Sequence, residues 1–139
     1  MNNSNQYELT TKQKEILRDM CFDMPKGKEA WLFSKEGKQL QYHLFLTPEL
    51  AKTSIEDLEV KSRAVNALKR AEIFNIGELV DIVHCTADLK SYRNLGIKTA
   101  QEIMLSLLFF QYSILPPDRR KAYMRDLYEL NRKADAENG

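Results

Sequence analysis

Cysteine is scarce here. Cys21 and Cys85 are its two examples and stand at no motif spacing, so no disulfide framework is expected and a reducing cytoplasm is the simplest setting. His43 and His84 share no ligand spacing with them, and no metal or cofactor is expected. Long apolar runs are missing as well, which excludes a membrane-spanning helix. The first residues, Met1-Asn2-Asn3-Ser4-Asn5-Gln6, lack the basic and apolar regions of a signal peptide. Charge of one sign is lacking too: 21 basic side chains meet 20 acidic ones, for a net charge of +1. The balance holds in the first 53 residues, in 54–115 and in 116–139 alike. A sustained basic field is therefore excluded, and nucleic-acid binding would have to come from a small local patch, weak and salt-sensitive. No nucleophile stands with a histidine and an orienting acid, no paired-carboxylate motif occurs, and no phosphate loop of the Walker type is present. The sequence does not read as that of an enzyme.

What is present is helical. The length of 139 residues suits one small domain with extensions. Ile16, Leu17, Met20 and Cys21 form a stripe at helical spacing, predicting a helix from a Thr11 cap to about Met24, stopped by Pro25 and Gly27. Residues 29–46 alternate with a period of two through Trp31, Phe33, Leu40, Tyr42, Leu44 and Leu46, around Lys35-Glu36-Gly37-Lys38; this predicts a β-hairpin packed on a helix. Thr47-Pro48 opens a helical turn. Ser62 is the expected cap of a helix to Arg70, with Ala64, Ala67, Leu68 and Ala71 inside. Asn75 and Glu78 have capping-box spacing for a helix with Leu79, Ile82 and Val83 inside. Thr86 would cap one turn to Leu89. Beyond Leu95-Gly96, residues Ala100, Ile103, Met104, Leu107, Leu108 and Gln111 mark one stripe, and Leu105, Phe109 and Tyr112 a second. A helix apolar on two faces must be covered on both. The near cover is a helix from Asp118 to about Lys133 carrying Tyr123, Met124, Leu127, Tyr128 and Leu130, with a fraying tail from Ala134. Residues 1–9 read as disordered.

Two stretches stand apart. Asp57-Leu58-Glu59-Val60-Lys61-Ser62-Arg63-Ala64-Val65-Asn66 and Asn94-Leu95-Gly96-Ile97-Lys98-Thr99-Ala100-Gln101-Glu102-Ile103 each feed a turn into a helix start beside a basic residue. Free N–H groups and the positive end of the dipole make such a start suitable for phosphate.

On these residues the segment 55–115 resembles the C-terminal domain of the bacterial RNA polymerase alpha subunit: Asp57-Leu58-Glu59, the Arg63/Asn66 pair, Ile76-Gly77-Glu78-Leu79, and Asn94-Leu95-Gly96-x-Lys98-Thr99-x-x-Glu102-Ile103. The resemblance implies a compact four-helix, helix-hairpin-helix-like domain that binds A·T-rich DNA across the minor groove and contacts sigma factor and activators. It places the groove contacts on Arg63 and Asn66, the backbone grip on Gly96, Lys98 and Thr99, a helix glutamate on Glu102, and a sigma-facing acidic patch on Glu56, Asp57 and Glu59. An arginine at a helix start suits a narrow A-tract groove, whose potential is most negative.

The sequence departs from that family in lacking the large assembly domain, so it reads as a free-standing copy. It has an extension over 1–53, with helix and hairpin, and another over 116–139. The expected fold is thus mainly α. The expected function is a cytoplasmic bacterial transcription-associated protein whose partners are A·T-rich duplex DNA, sigma factor or other transcription proteins, and a second copy through the C-terminal helix. The rival reading is an interaction module that mimics the alpha domain and engages sigma or an activator without touching DNA.

Overall fold

The computed structural model describes residues 9–35, 41–82 and 95–138. Among them are seven α-helices, one 3-10 turn and no strand. The protein is mainly α, as expected. The helix predicted over Thr86–Leu89, the inward position of Val83 and the disorder expected near the N-terminus lie outside the described residues or, at position 9, at their edge.

Helix α1 covers Thr11–Asp23, and its cap is Thr10 rather than Thr11. The Gln13 N–H donates to the Thr10 hydroxyl at 3.0 Å, and the Thr10 N–H donates to the Gln13 amide oxygen at 3.1 Å. This reciprocal pair satisfies two donors that a helix start otherwise leaves open. Gly27, with φ at 82°, then turns the backbone.

The hairpin is not formed. Residues Glu29–Lys35 are helix α2, and 41–47 belong to no strand; of the proposed turn, Lys35 ends α2 and 36–38 fall outside the described residues. The period of two over 41–47 is nevertheless a true reading of two faces. Tyr42, Leu44 and Leu46 are half-buried, while Gln41, His43 and Phe45 are exposed. The backbone of this strap is satisfied by side chains instead of a neighbouring strand. Asn131 accepts from the Gln41 N–H and donates to its carbonyl, both at 2.8 Å. The Tyr123 hydroxyl donates to the His43 carbonyl at 2.7 Å, and the Phe45 N–H donates to the Gln111 amide oxygen. Alternation reports which side chains go inward, and it cannot tell a helix-backed strap from a strand.

Thr47 caps helix α3, Pro48–Ala51, with Pro48 at its first position. A 3-10 turn, Ile55–Asp57, follows. Helix α4 spans Ser62–Arg70; its cap position is Lys61, with no hydrogen bond from a capping side group, so Ser62 is the first helical residue rather than the cap. The helix ends with Glu72 at φ 64°, and the Ile73 N–H reaches back to the Leu68 carbonyl at 2.9 Å, the six-to-one bond of a Schellman ending. Helix α5 is Ile76–Ile82. Its capping box forms as read: Glu78 accepts from the Asn75 N–H at 3.2 Å, and Asn75 accepts from the Glu78 N–H at 2.8 Å. Leu79 is buried, but Ile82 is exposed.

Helix α6, Ile97–Ile114, is the wall between two cores. One side gives Ala100, Ile103 and Leu107 to a cluster with Ile55, Leu58, Ala64, Ala67, Leu68, Ile73, Ile76 and Leu79. The other gives Leu108, Phe109 and Tyr112 to a cluster with Met20, Cys21, Met24 and Leu32. Helix α7, Pro117–Asn138, completes that second cluster with Tyr123, Met124 and Leu127. The second row of α6 is therefore covered by elements from both ends of the sequence, and the apolar side of α7 is used within the protein. The backbone of α7 stays helical through Asn138 instead of fraying from Ala134.

Candidate nucleic-acid interface

The two stretches singled out in the sequence are linked in the fold, the Lys61 N–H donating to Glu102. Neither α4 nor α6 has a capping hydrogen bond from a side group; Lys61 holds the cap position of the first and Gly96 that of the second, both with extended backbone. Each places a basic residue at its second helical position, Arg63 on α4 and Lys98 on α6, and both are exposed. Asn66 lies one turn after Arg63, also exposed. Gly96 is open on its outer side, with nothing within 4 Å of where a Cβ would stand. The arrangement offers donors and positive charge to a polyanion. No group of His, Cys, Asp and Glu fit to hold a metal ion occurs among the described residues.

Glu102 joins the two starts, and it does so from inside. It is 2% exposed, and its Oε2 accepts from the Lys61 N–H at 2.7 Å. A buried carboxylate needs such a donor. The bond fixes Lys61, two positions ahead of Arg63, against the second turn of α6, so it sets how the start of α4 stands relative to α6. Thr99 is buried too; only Arg63, Asn66, Gly96 and Lys98 of the expected DNA-facing set present their surface to solvent.

The acidic residues expected to meet a partner are partly spoken for. Glu59 accepts from the Thr10 hydroxyl at 3.4 Å and pairs with Lys12 at 3.8 Å. Glu56 pairs with Lys69 at 3.3 Å. Asp57 is exposed. Beneath them lies a contact that sequence reasoning missed. Gln13, 1% exposed, donates to the Glu59 carbonyl at 3.0 Å and to the Ser106 hydroxyl at 3.2 Å. It ties α1 to the loop before α4 and to α6. A glutamine at the third position of a capped helix signals the cap alone, and its long-range role has no local signature.

The family described as the C-terminal domain of the bacterial RNA polymerase alpha chain matches residues 46–108. This protein contains an alpha-C-terminal-domain-like unit. The DNA-directed RNA polymerase subunit alpha of Hydrogenobaculum sp. (strain Y04AAS1) is 30% identical over 107 residues, 77% of this chain and 30% of that protein. The same subunit of Synechocystis sp. (strain ATCC 27184 / PCC 6803 / Kazusa) is 32% identical over 87 residues, 63% of this chain and 27% of that protein. That of Bifidobacterium longum (strain NCC 2705) is 46% identical over 56 residues, 40% of this chain and 16% of that protein. The matched part thus spans less than a third of the length of these relatives. No solved structure matches. The alpha-C-terminal-domain-like region takes in α3 through most of α6. Helices α1, α2 and α7 lie outside the residues that the family model matches and build the second core with α6. No described helix is long and apolar enough to cross a membrane.

Proposed function

We propose that this is a non-enzymatic, cytoplasmic DNA-binding protein of transcription. Arg63 and Asn66 enter the minor groove of an A·T-rich duplex. The N-termini of α4 and α6, with Gly96 and Lys98, hold the flanking phosphates. The observation that carries this reading is the junction made by Glu102: the start of α4 is tied to the second turn of α6, and each helix begins without a side-group cap and with an exposed basic residue at its second position. The likeness to the alpha C-terminal domain supports it. Minor-groove edges separate A·T from G·C and little more, so the preference is for composition, not for a defined sequence. With a net charge of +1 the affinity is modest and falls with salt. Glu102 serves as a positioning residue and Thr99 contributes its backbone.

Fluorescence anisotropy with A·T-rich and G·C-rich duplexes tests the reading. Arg63→Ala lowers affinity for the A·T-rich duplex by about 1–3 kcal/mol, the scale of one base-directed contact. Lys98→Ala weakens both duplexes alike and flattens the salt slope by about one unit. Wild-type binding by both variants overturns the proposal. The rival, a sigma- or activator-binding module working through Glu56, Asp57 and Glu59, is disfavoured by the pairing of Glu59 with α1 and of Glu56 with Lys69.

A further inference from the structure

The two segments outside the matched domain build a surface of their own. Phe22, near the end of α1, is 80% exposed. An apolar ring in that position contributes little to folding. The Lys121 ammonium of α7 stands 6.0 Å from its centroid. Further along α7, Tyr128 receives the Trp31 ring edge-on at 5.0 Å and the Lys28 ammonium at 5.5 Å. Lys121, Arg125 and Tyr128 follow one another at four and three residues, which places them in a single row on α7. The exposed Arg125 lies between the two aromatic contacts. The result is a strip in which Phe22, Trp31 and Tyr128 alternate with Lys28, Lys121 and Arg125. Acids border it: Asp126 and Glu29 are exposed, the latter next to Lys28, and Glu129 is held by Arg132 at 2.8 Å.

Interleaved rings and cations are what a flexible polyanion with flat bases requires. Bases stack on the rings, and the ammonium and guanidinium groups follow the phosphates. Trp31 and Tyr128 are half-buried and pack in part against the second core, whereas Phe22, the leading ring, is open to solvent. The α1 residues Lys12 and Gln13 face Glu59 on the matched domain. The strip lies instead on the α7 side of α1. We infer that helices α1, α2 and α7 carry a second nucleic-acid surface, one that takes a single-stranded polynucleotide, independent of the duplex site at Arg63.

The protein has one tryptophan, and it sits in the strip, so binding is read directly. The full-length protein is titrated with a short oligothymidylate, an oligouridylate, an abasic oligomer of equal length and polyglutamate. Trp31 fluorescence is followed with each. Saturable quenching by the two base-bearing strands and none by the abasic oligomer is the expected result; the stronger of the two identifies DNA or RNA as the source. Phe22→Ala and Lys121→Ala should each weaken the strand by about tenfold, within the range one stacked base supplies. Both side chains are exposed, and circular dichroism checks that the fold survives. Arg63→Ala should leave the quenching unchanged while lowering duplex affinity, which separates failure here from failure of the duplex proposal. Four results overturn the inference: no quenching, equal response to the abasic strand, equal response to polyglutamate (an acidic protein surface as the true ligand), or loss of the quenching in Arg63→Ala.

Discussion

Glu102 shows how one residue type admits two opposite roles. On a helix surface near a phosphate site a glutamate would repel DNA. Buried under the turn, it accepts from the Lys61 N–H and braces the helix start that carries Arg63. Glu102→Ala leaves that N–H without its acceptor, and urea unfolding should show a loss of about 1–3 kcal/mol. Glu102→Gln keeps an acceptor oxygen and should recover most of the stability and of the duplex affinity. A Glu102→Ala protein that is equally stable and binds duplex more tightly would return the residue to the surface role. Glu72 is a second case. It holds φ at 64°, a conformation that disfavours any residue with a Cβ by about 1–2 kcal/mol. Glycine suffers no such strain but loses more freedom on folding. Glu72→Gly should therefore raise stability by about 0.5–1 kcal/mol in thermal or urea melts. That position reads in the sequence as an ordinary acid after a helix; the left-handed turn appears only once Ile73 is pulled back to the Leu68 carbonyl.

Contacts between elements decide where the site is rigid. Helices α3 and α5 touch at Gly77, where a Cβ would come within 2.9 Å of the Ala51 Cβ and 3.0 Å of its carbonyl oxygen. Backbone does not step aside as a flexible side group does. Gly77→Ala should destabilise by about 1–3 kcal/mol in urea unfolding, as overpacking does; a neutral result would mean that α3 is free to shift. The two stripes of α6 were legible from spacing alone, because a helix apolar on both faces must be buried on both. Their cover was half legible. Helix α7 was the expected one, but α1 shares the work, since Met20, Cys21 and Met24 meet Phe109 and Tyr112. Removing residues 117–139 should expose Phe109 and Tyr112 and cause association in sedimentation at micromolar protein. A stable truncated monomer would show that α1 and α2 cover the row unaided. The hairpin was misread at this same scale. Tyr42, Leu44 and Leu46 do face inward, yet what answers the strap's backbone is Asn131, Tyr123 and Gln111, residues remote in sequence.

At the scale of the molecule the second core is sealed by tyrosines whose hydroxyls point to internal acceptors. Tyr112 donates to the Asp23 carboxylate and Tyr123 to the His43 carbonyl. Burial pushes both phenols well above their ordinary range, and Asp23 raises Tyr112 further. The neutral forms belong to the fold. Their stabilisation is complete below the unfolded value near 10. It declines as pH climbs beyond that, because the unfolded state releases protons that the folded state retains. Denaturant midpoints should fall steadily above about pH 10. Tyr123→Phe should make that fall shallower, while lowering stability at neutral pH by the lost bond to His43, about 1 kcal/mol. An unchanged alkaline slope in the variant would assign the effect to other groups.

The sequence by itself determined the helical class, the Asn75/Glu78 box and the double-sided α6. It also determined the likeness of its middle to the alpha C-terminal domain, down to the two basic helix starts. These are local facts, written in spacings of three, four and seven residues and in side chains that bond within one turn. What the tertiary structure decided is long-range. It set the burial of Glu102 under Lys61 and the Gln13 link from α1 to Glu59 and Ser106. It made 41–47 a helix-backed strap, and it brought Phe22, Trp31 and Tyr128 into one strip from opposite ends of the sequence. Each joins residues separated by dozens of positions, and periodicity within a helix holds no record of which distant partner will supply a hydrogen bond or cover a ring.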